Sequence, residues 1–281
     1  MRSFLFLPVI LILFLFLSCK KYQPAVAAFY FKSKDIKIAT KVNEGSGSHK
    51  ITDLWLYVNG KYQGAFPVGN LMPIPSNGEK VSINIFAGIK NNGISDTRIP
   101  YPFYEFLTID TLIETGTTIE RDITFEYKAS TNFTWTENFE SSGYSLVKAP
   151  VSEVNFTMAK PEDSFEGKSM QLVLNDSTII AEVESSGDGF ALPLGSSNVY
   201  LELNYKCTEE FDVGLIGDNN YHKLVITLKP TSEWNKIYIQ LSSAVSTQPT
   251  SSKYKVYFQL LKTNVNSSPK LFLDNIKLTY L

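Results

Sequence analysis

Cysteine, histidine and concentrated positive charge are all scarce in this chain. It has two cysteines and two histidines in 281 residues. A Ser/His/Asp or Cys/His site needs a histidine beside a nucleophile, and no G-x-S-x-G elbow is present. Zinc sites need clustered His and Cys ligands, whereas His49 sits in the Gly/Ser-rich "GSGSHK" and His222 follows Tyr221. Cys207 closes "VYLELNYKC", where a small, partly buried strand residue is expected rather than a reactive thiol. Basic residues number 26 against 28 acidic ones, with no basic run beyond Lys20-Lys21. That balance gives no positive field to gather nucleic acid, which is excluded as a partner.

Long apolar runs are equally rare, with one exception. Phe4 to Leu17, "FLFLPVILILFLFL", is fourteen residues long and follows Arg2. That length suits a signal-peptide h-region rather than a membrane span of about 20 residues. The segment "FLSC" resembles the lipobox of bacterial lipoproteins, with Phe16 departing from the usual aliphatic residue. The resemblance implies a signal peptide over residues 1–18, lipidation at Cys19 and a lipid-proximal tether over 19–26. A multiply acylated cysteine is a stable anchor that does not cross the membrane. With Cys19 acylated only Cys207 remains, so no intramolecular disulfide can form.

Helical periodicity is missing from the rest of the chain, while alternating apolar runs recur every 8 to 15 residues. In "ITDLWLYVNGKYQGAF", Asn59-Gly60 separates two such runs and predicts a hairpin with a type I′ turn. The expected fold is all-β. Residues 27–128 suit a small N-terminal immunoglobulin-like β-sandwich. After a seam at "YKASTNFTW", the larger strand count and long connections of 129–281 suit a C-terminal β-jelly roll.

The quoted segments "ENFES", "EGKSMQLVLN", "LKPTSEWNKIYIQL" and "LFLDNIKL" resemble the galactose-binding-like jelly rolls of carbohydrate-binding modules. That resemblance implies a structural calcium ion held by Glu140 and Asp274 with backbone carbonyls, with no other cofactor required. A polar pair, Asp274-Asn275, on a strand's solvent face is the alternative reading. The order "ITDLWLYVNGKYQGAFPV", "IFAGIKNNGISDTRIPYPFYE" resembles the N-terminal domain of uncharacterised Bacteroidetes lipoproteins. It implies an outer-membrane lipoprotein facing the periplasm or the cell surface.

Carboxylates alone suffice for glycoside hydrolysis. The acids of "PEDSFEG" and "TEEFDVG", however, do not alternate along one strand face. The chain is therefore read as non-catalytic, with a polysaccharide hydrolase as a minor alternative.

Glycan binding stacks sugar on aromatic faces. Trp135 shares parity with Phe133 and Phe139 and reads as core. Trp234 either closes one end of the jelly roll or contacts a ligand. Leu54, Leu56 and Val58 share one face of their strand, leaving Trp55 and Tyr57 on the other. That pair binds sugar or a partner, or packs against the second unit. In "NNGISDTRIPYPFY" the prolines suit a shaped crossover whose Arg98 pairs with an acid such as Asp96. Its Tyr101 meets the second unit or another protein. Two functions follow: a glycan-binding envelope lipoprotein gripping polysaccharide with its jelly roll, or a structural lipoprotein docking another envelope protein.

Overall fold

The alternating runs become strands that sort into four sheets. The computed structural model describes residues 27–281 except 77, 113, 196, 219, 248–249 and 265–266. The expected signal peptide, Cys19 and the tether lie outside the described residues. Among those described, no helix is long and apolar enough to cross a membrane.

The first unit uses β1 (Ala28–Ala39), β2 (Asp53–Val58), β3 (Lys61–Pro67), β4 (Met72–Pro75), β5 (Val81–Lys90), β6 (Arg98–Pro100), β7 (Leu107–Thr111) and β8 (Thr118–Glu126). One sheet has the order β4-β1-β8, and the other β3-β2-β5-β6 with β7 also on β5. The β1/β8 pair is parallel. The predicted hairpin forms: Asn59 and Gly60 have φ of 48° and 75°, the turn that matches strand twist. This two-layer sandwich has its own strand order, because the tight turn keeps β2 and β3 in one sheet. Alternate residues of β2 and β5 (Leu54, Leu56, Ile83, Ile85) enter its core with Phe29, Phe31 and Phe125.

The second unit uses β9 (Asn132–Glu137), β10 (Leu146–Lys148), β11 (Thr157–Met158), β12 (Met170–Val173), β13 (Ile180–Ser185), β14 (Val199–Cys207), β15 (Phe211–Gly217), β16 (His222–Leu228), β17 (Thr231–Gln240), β18 (Tyr254–Leu261) and β19 (Lys270–Tyr280). Its sheets run β10-β13-β18-β15-β16 and β11-β12-β19-β14-β17, with β9 also on β19. The connection after Ser242 holds a short helix α1 (Ser242–Ser246), which period-two reasoning missed. Trp135 is buried in this core, its Nε1 donating to Ser145 Oγ at 2.7 Å.

β14 is buried on both faces, as a strand covered from two sides must be. Val199, Leu201, Leu203 and Cys207 fill the second core, while Tyr200 on its other face joins the first core together with Tyr238 of β17. In β19 a bulge at Asn275 (φ 48°) shifts the register against β14. Extra residues of this kind re-aim the side chains that follow. Ile276 and Leu278 enter the second core, and Lys277 turns to Glu202 instead.

The crossover loop is the other half of this junction. Tyr101 is buried, with its ring centroid 4.7 Å from Tyr238 and 5.5 Å from Tyr200. It therefore meets the second unit and is closed to an external ligand. The Asn92 amide donates to the Tyr238 carbonyl at 2.9 Å, and Asn92 Oδ1 accepts the Gln240 amide at 2.8 Å. At the centre, Glu202 is 0% exposed and accepts hydrogen bonds from Tyr101 (2.8 Å) and Tyr127 (2.9 Å). Lys236 Nζ lies 3.2 Å from Glu202 Oε2. Lys277 Nζ donates to Tyr127 Oη at 3.1 Å and to the Ser46 carbonyl at 2.6 Å. Burial alone would raise the Glu202 carboxyl, but Lys236, Lys277 and the two phenols outweigh it and hold it below its ordinary value. Tyr101, Tyr104 and Tyr127 are pushed well up, chiefly by burial.

Candidate functional site: an aromatic ladder on the first unit

The alternation that buries Leu54 and Leu56 turns Trp55 and Tyr57 to the outer face of β2. Their ring neighbours belong to the first unit. The tight turn pairs Tyr57 with Tyr62 of β3, and β5 presents Phe86 opposite Trp55. Phe106, just before β7, completes the row. Neighbouring ring centroids lie 5.5 Å apart for Trp55–Tyr62, 5.3 Å for Tyr62–Tyr57, 5.2 Å for Tyr57–Phe86 and 4.7 Å for Phe86–Phe106. Such cross-strand pairs fix one another's orientation. The row is open to solvent: Tyr62 is 50% exposed and Phe106 43% exposed.

Polar groups flank the rings. Thr108 donates to Asn84 Oδ1 at 3.1 Å on the same face. At the other end Trp55 lies over Gly88, where a Cβ would come within 2.8 Å of its ring. The Trp55 Nε1 hydrogen has no partner. Arg98 sits beyond it and pairs with the buried Asp53 at 2.7 Å, not with Asp96 as expected from sequence. Burial of Asp53 decides this, since a buried carboxylate needs a cation more than an exposed one does.

The other sequence candidates are dispersed. Trp234 packs beside Phe165 (5.5 Å) and Phe272 (6.3 Å) and donates to the Asp163 carbonyl at 3.1 Å, with Lys206 Nζ 4.6 Å from the Phe272 ring. The acids of the two sequence clusters have separate partners: Asp163 with Lys206, Glu210 with Lys229, Glu209 with Thr263 and Asp212 with Thr227. On the outer face of the β13-β18-β15-β16 sheet, Glu182 accepts from Gln259 at 2.5 Å and lies 3.4 Å from His222 Nε2, with Tyr257 beside it. Tyr257 is buried there.

Both acids of the expected calcium pair meet protein donors. Asp274 is fully buried and its oxygens accept from Ser169 Oγ (2.7 Å), the Glu166 amide (3.3 Å) and the Asn275 amide (2.7 Å). Glu140 Oε1 accepts the Lys168 amide at 2.6 Å. Calcium takes six to eight oxygens, and among the described residues no three His, Cys, Asp or Glu side chains converge to hold a metal. Burial raises the Asp274 carboxyl to about 6, against the pull of those three donors. The folded chain therefore holds more protons than the unfolded chain between about pH 4 and 6, and this group's contribution to stability is lost as pH rises through that window. Melting in chelator should show this fall, on the order of 2–3 kcal/mol at most. Asp274→Asn should flatten it, and an unchanged pH profile would contradict the assignment.

No protein-family model matches the chain. No curated protein matches it either. Among solved structures, a mutant family 29 carbohydrate-binding module complexed with mannohexaose is 13% identical, covering 54% of this chain and 93% of that one, with a TM-score of 0.37. A structure described as a family 4 module is 12% identical over 49% of this chain and 95% of that one, at a TM-score of 0.36. The Clostridium thermocellum xylanase 10B modules complexed with xylohexaose are 16% identical over 52% of this chain and 28% of that one, at 0.39.

Proposed function

We propose that the chain is a non-catalytic, membrane-anchored envelope lipoprotein that binds glycan along the outer face of the β3-β2-β5 sheet. The observation that carries this reading is the ladder Trp55–Tyr62–Tyr57–Phe86–Phe106, whose rings are oriented by one another and of which Tyr62 and Phe106 are exposed. Aromatic faces bury the C–H surfaces of sugar rings, and the neighbouring Asn84 and Thr108 supply hydroxyl partners. This moves the binding surface from the jelly roll, where the sequence reading put it, to the smaller unit.

Affinity electrophoresis of the soluble chain from Lys20 onward, across a panel of polysaccharides, tests the reading. Retardation by at least one of them is expected. Migration unaffected by every gel, with a crosslinked envelope protein recovered instead, would favour the structural alternative. The anchor rests on "FLSC": palmitate should label the wild type and not Cys19→Ala, and equal labelling would remove it.

A further inference from the structure

The ladder leads into a cationic cavity between the units. Phe86, Gly88 and Lys90 share the outer face of β5, with Lys90 about 13 Å beyond Phe86 at strand rise. Arg98, opposite Lys90, is neutralised by Asp53. A cavity of about 370 Å³ opens here, its walls including Lys50, Lys90, Lys236, Asn235, Tyr205 and Ile237. No aspartate or glutamate is among the residues that line it.

The lysines differ in what neutralises them. Lys236 is committed to Glu202, and Lys229, also on the wall, to Glu210. Lys50 and Lys90 have no acidic partner among the described residues; Lys50 Nζ donates to the neutral Asn235 Oδ1. Burial and the repulsion of Lys90 both hold the Lys50 ammonium below its ordinary value. Two unneutralised cations facing one partly apolar space favour an anionic guest. A volume near the lower end of small-molecule sites accommodates a sugar residue.

We infer that this cavity takes the acidic substituent of a glycan, a uronate carboxylate or a sulfate ester, from a sugar chain lying along the ladder. The inference rests on the glycan reading above and narrows it to acidic polysaccharide. Lys50 and Lys90 contact the oxyanion, while Ile237 and Tyr205 face the ring that bears it.

Calorimetric titration with matched probes tests it: polygalacturonate oligosaccharides against their neutral methyl esters, and sulfated galactan against the same galactan desulfated. Preference of about tenfold or more for the charged member of one pair is expected, and the pair that shows it separates carboxylate from sulfate. The preference should vanish in Lys50→Ala/Lys90→Ala, with binding of the neutral member unchanged, and persist in Lys37→Ala, a lysine outside the cavity. Equal affinity for charged and neutral members, or a preference that survives the double substitution, overturns the inference and leaves the ladder standing. Absence of binding to every member overturns the inference, while the ladder itself is judged by the polysaccharide panel above.

Discussion

Glu202→Ala should destabilise the chain by about 3–5 kcal/mol, the cost of breaking a buried ion pair from one side. Among the described residues the carboxylate is the one acid paired with Lys236, and it accepts from two phenols, so its removal strands a buried ammonium and leaves Tyr101 and Tyr127 without their acceptor. Urea unfolding at pH 7 measures the loss as a lowered midpoint. Glu202→Gln should cost less, because an amide oxygen still accepts from a phenol. Adding Lys236→Met should recover part of the loss, since the stranded charge goes with it.

The same substitution should change the alkaline limb. Burial lowers Lys277 to about 8, with Glu202 pulling it back up. Between that value and 10.5 the folded chain holds fewer protons than the unfolded chain, so stability rises with pH there. Without Glu202 the window should extend to lower pH. A midpoint unchanged by Glu202→Ala would mean that the units are not joined through this cluster.

The second large effect concerns binding. Tyr62 and Phe106 are the most exposed rings of the ladder, so Tyr62→Ala/Phe106→Ala should alter stability by little. An aromatic contact contributes about 0.5–1.5 kcal/mol beyond the area it buries, and about 1.4 kcal/mol is tenfold in affinity. The pair should therefore weaken glycan binding by roughly 5- to 100-fold, and with Trp55→Ala added, binding should fall below detection. Glu184→Ala, on the jelly roll's outer sheet, should leave affinity intact. The reverse pattern would return the site to the jelly roll.

How much of this was legible in the sequence depends on the range of the contacts. The Asn59-Gly60 turn sets the β2/β3 register from local chemistry, so the Tyr57–Tyr62 pair could have been read directly. Phe86 was equally readable from the alternation of "SINIFAGI". Phe106 and Lys50 had no such signal, because each reaches its place through pairing or packing between distant segments. Arg98 was assigned to its near neighbour Asp96, whereas a buried acid 45 residues away holds it. The segment "VYLELNYKC" read Cys207 as a partly buried strand residue, short of its place in the core, and did not show that the opposite face, Tyr200 and Glu202, would be covered by another unit. Asp274 entered the sequence reading only through a resemblance, as a calcium ligand, and its burial among protein donors had no local signal.

The indole signals in a two-dimensional NMR titration test the ladder most directly. The three tryptophans occupy separate surroundings: Trp55 on the ladder with an unpaired Nε1, Trp135 in the core bonded to Ser145, and Trp234 bonded to the Asp163 carbonyl. Titrated with an oligosaccharide of the polysaccharide that retards the chain most, the Trp55 signal should shift and saturate while those of Trp135 and Trp234 stay in place. A bound glycan that moves the Trp234 signal and leaves Trp55 untouched would contradict the account.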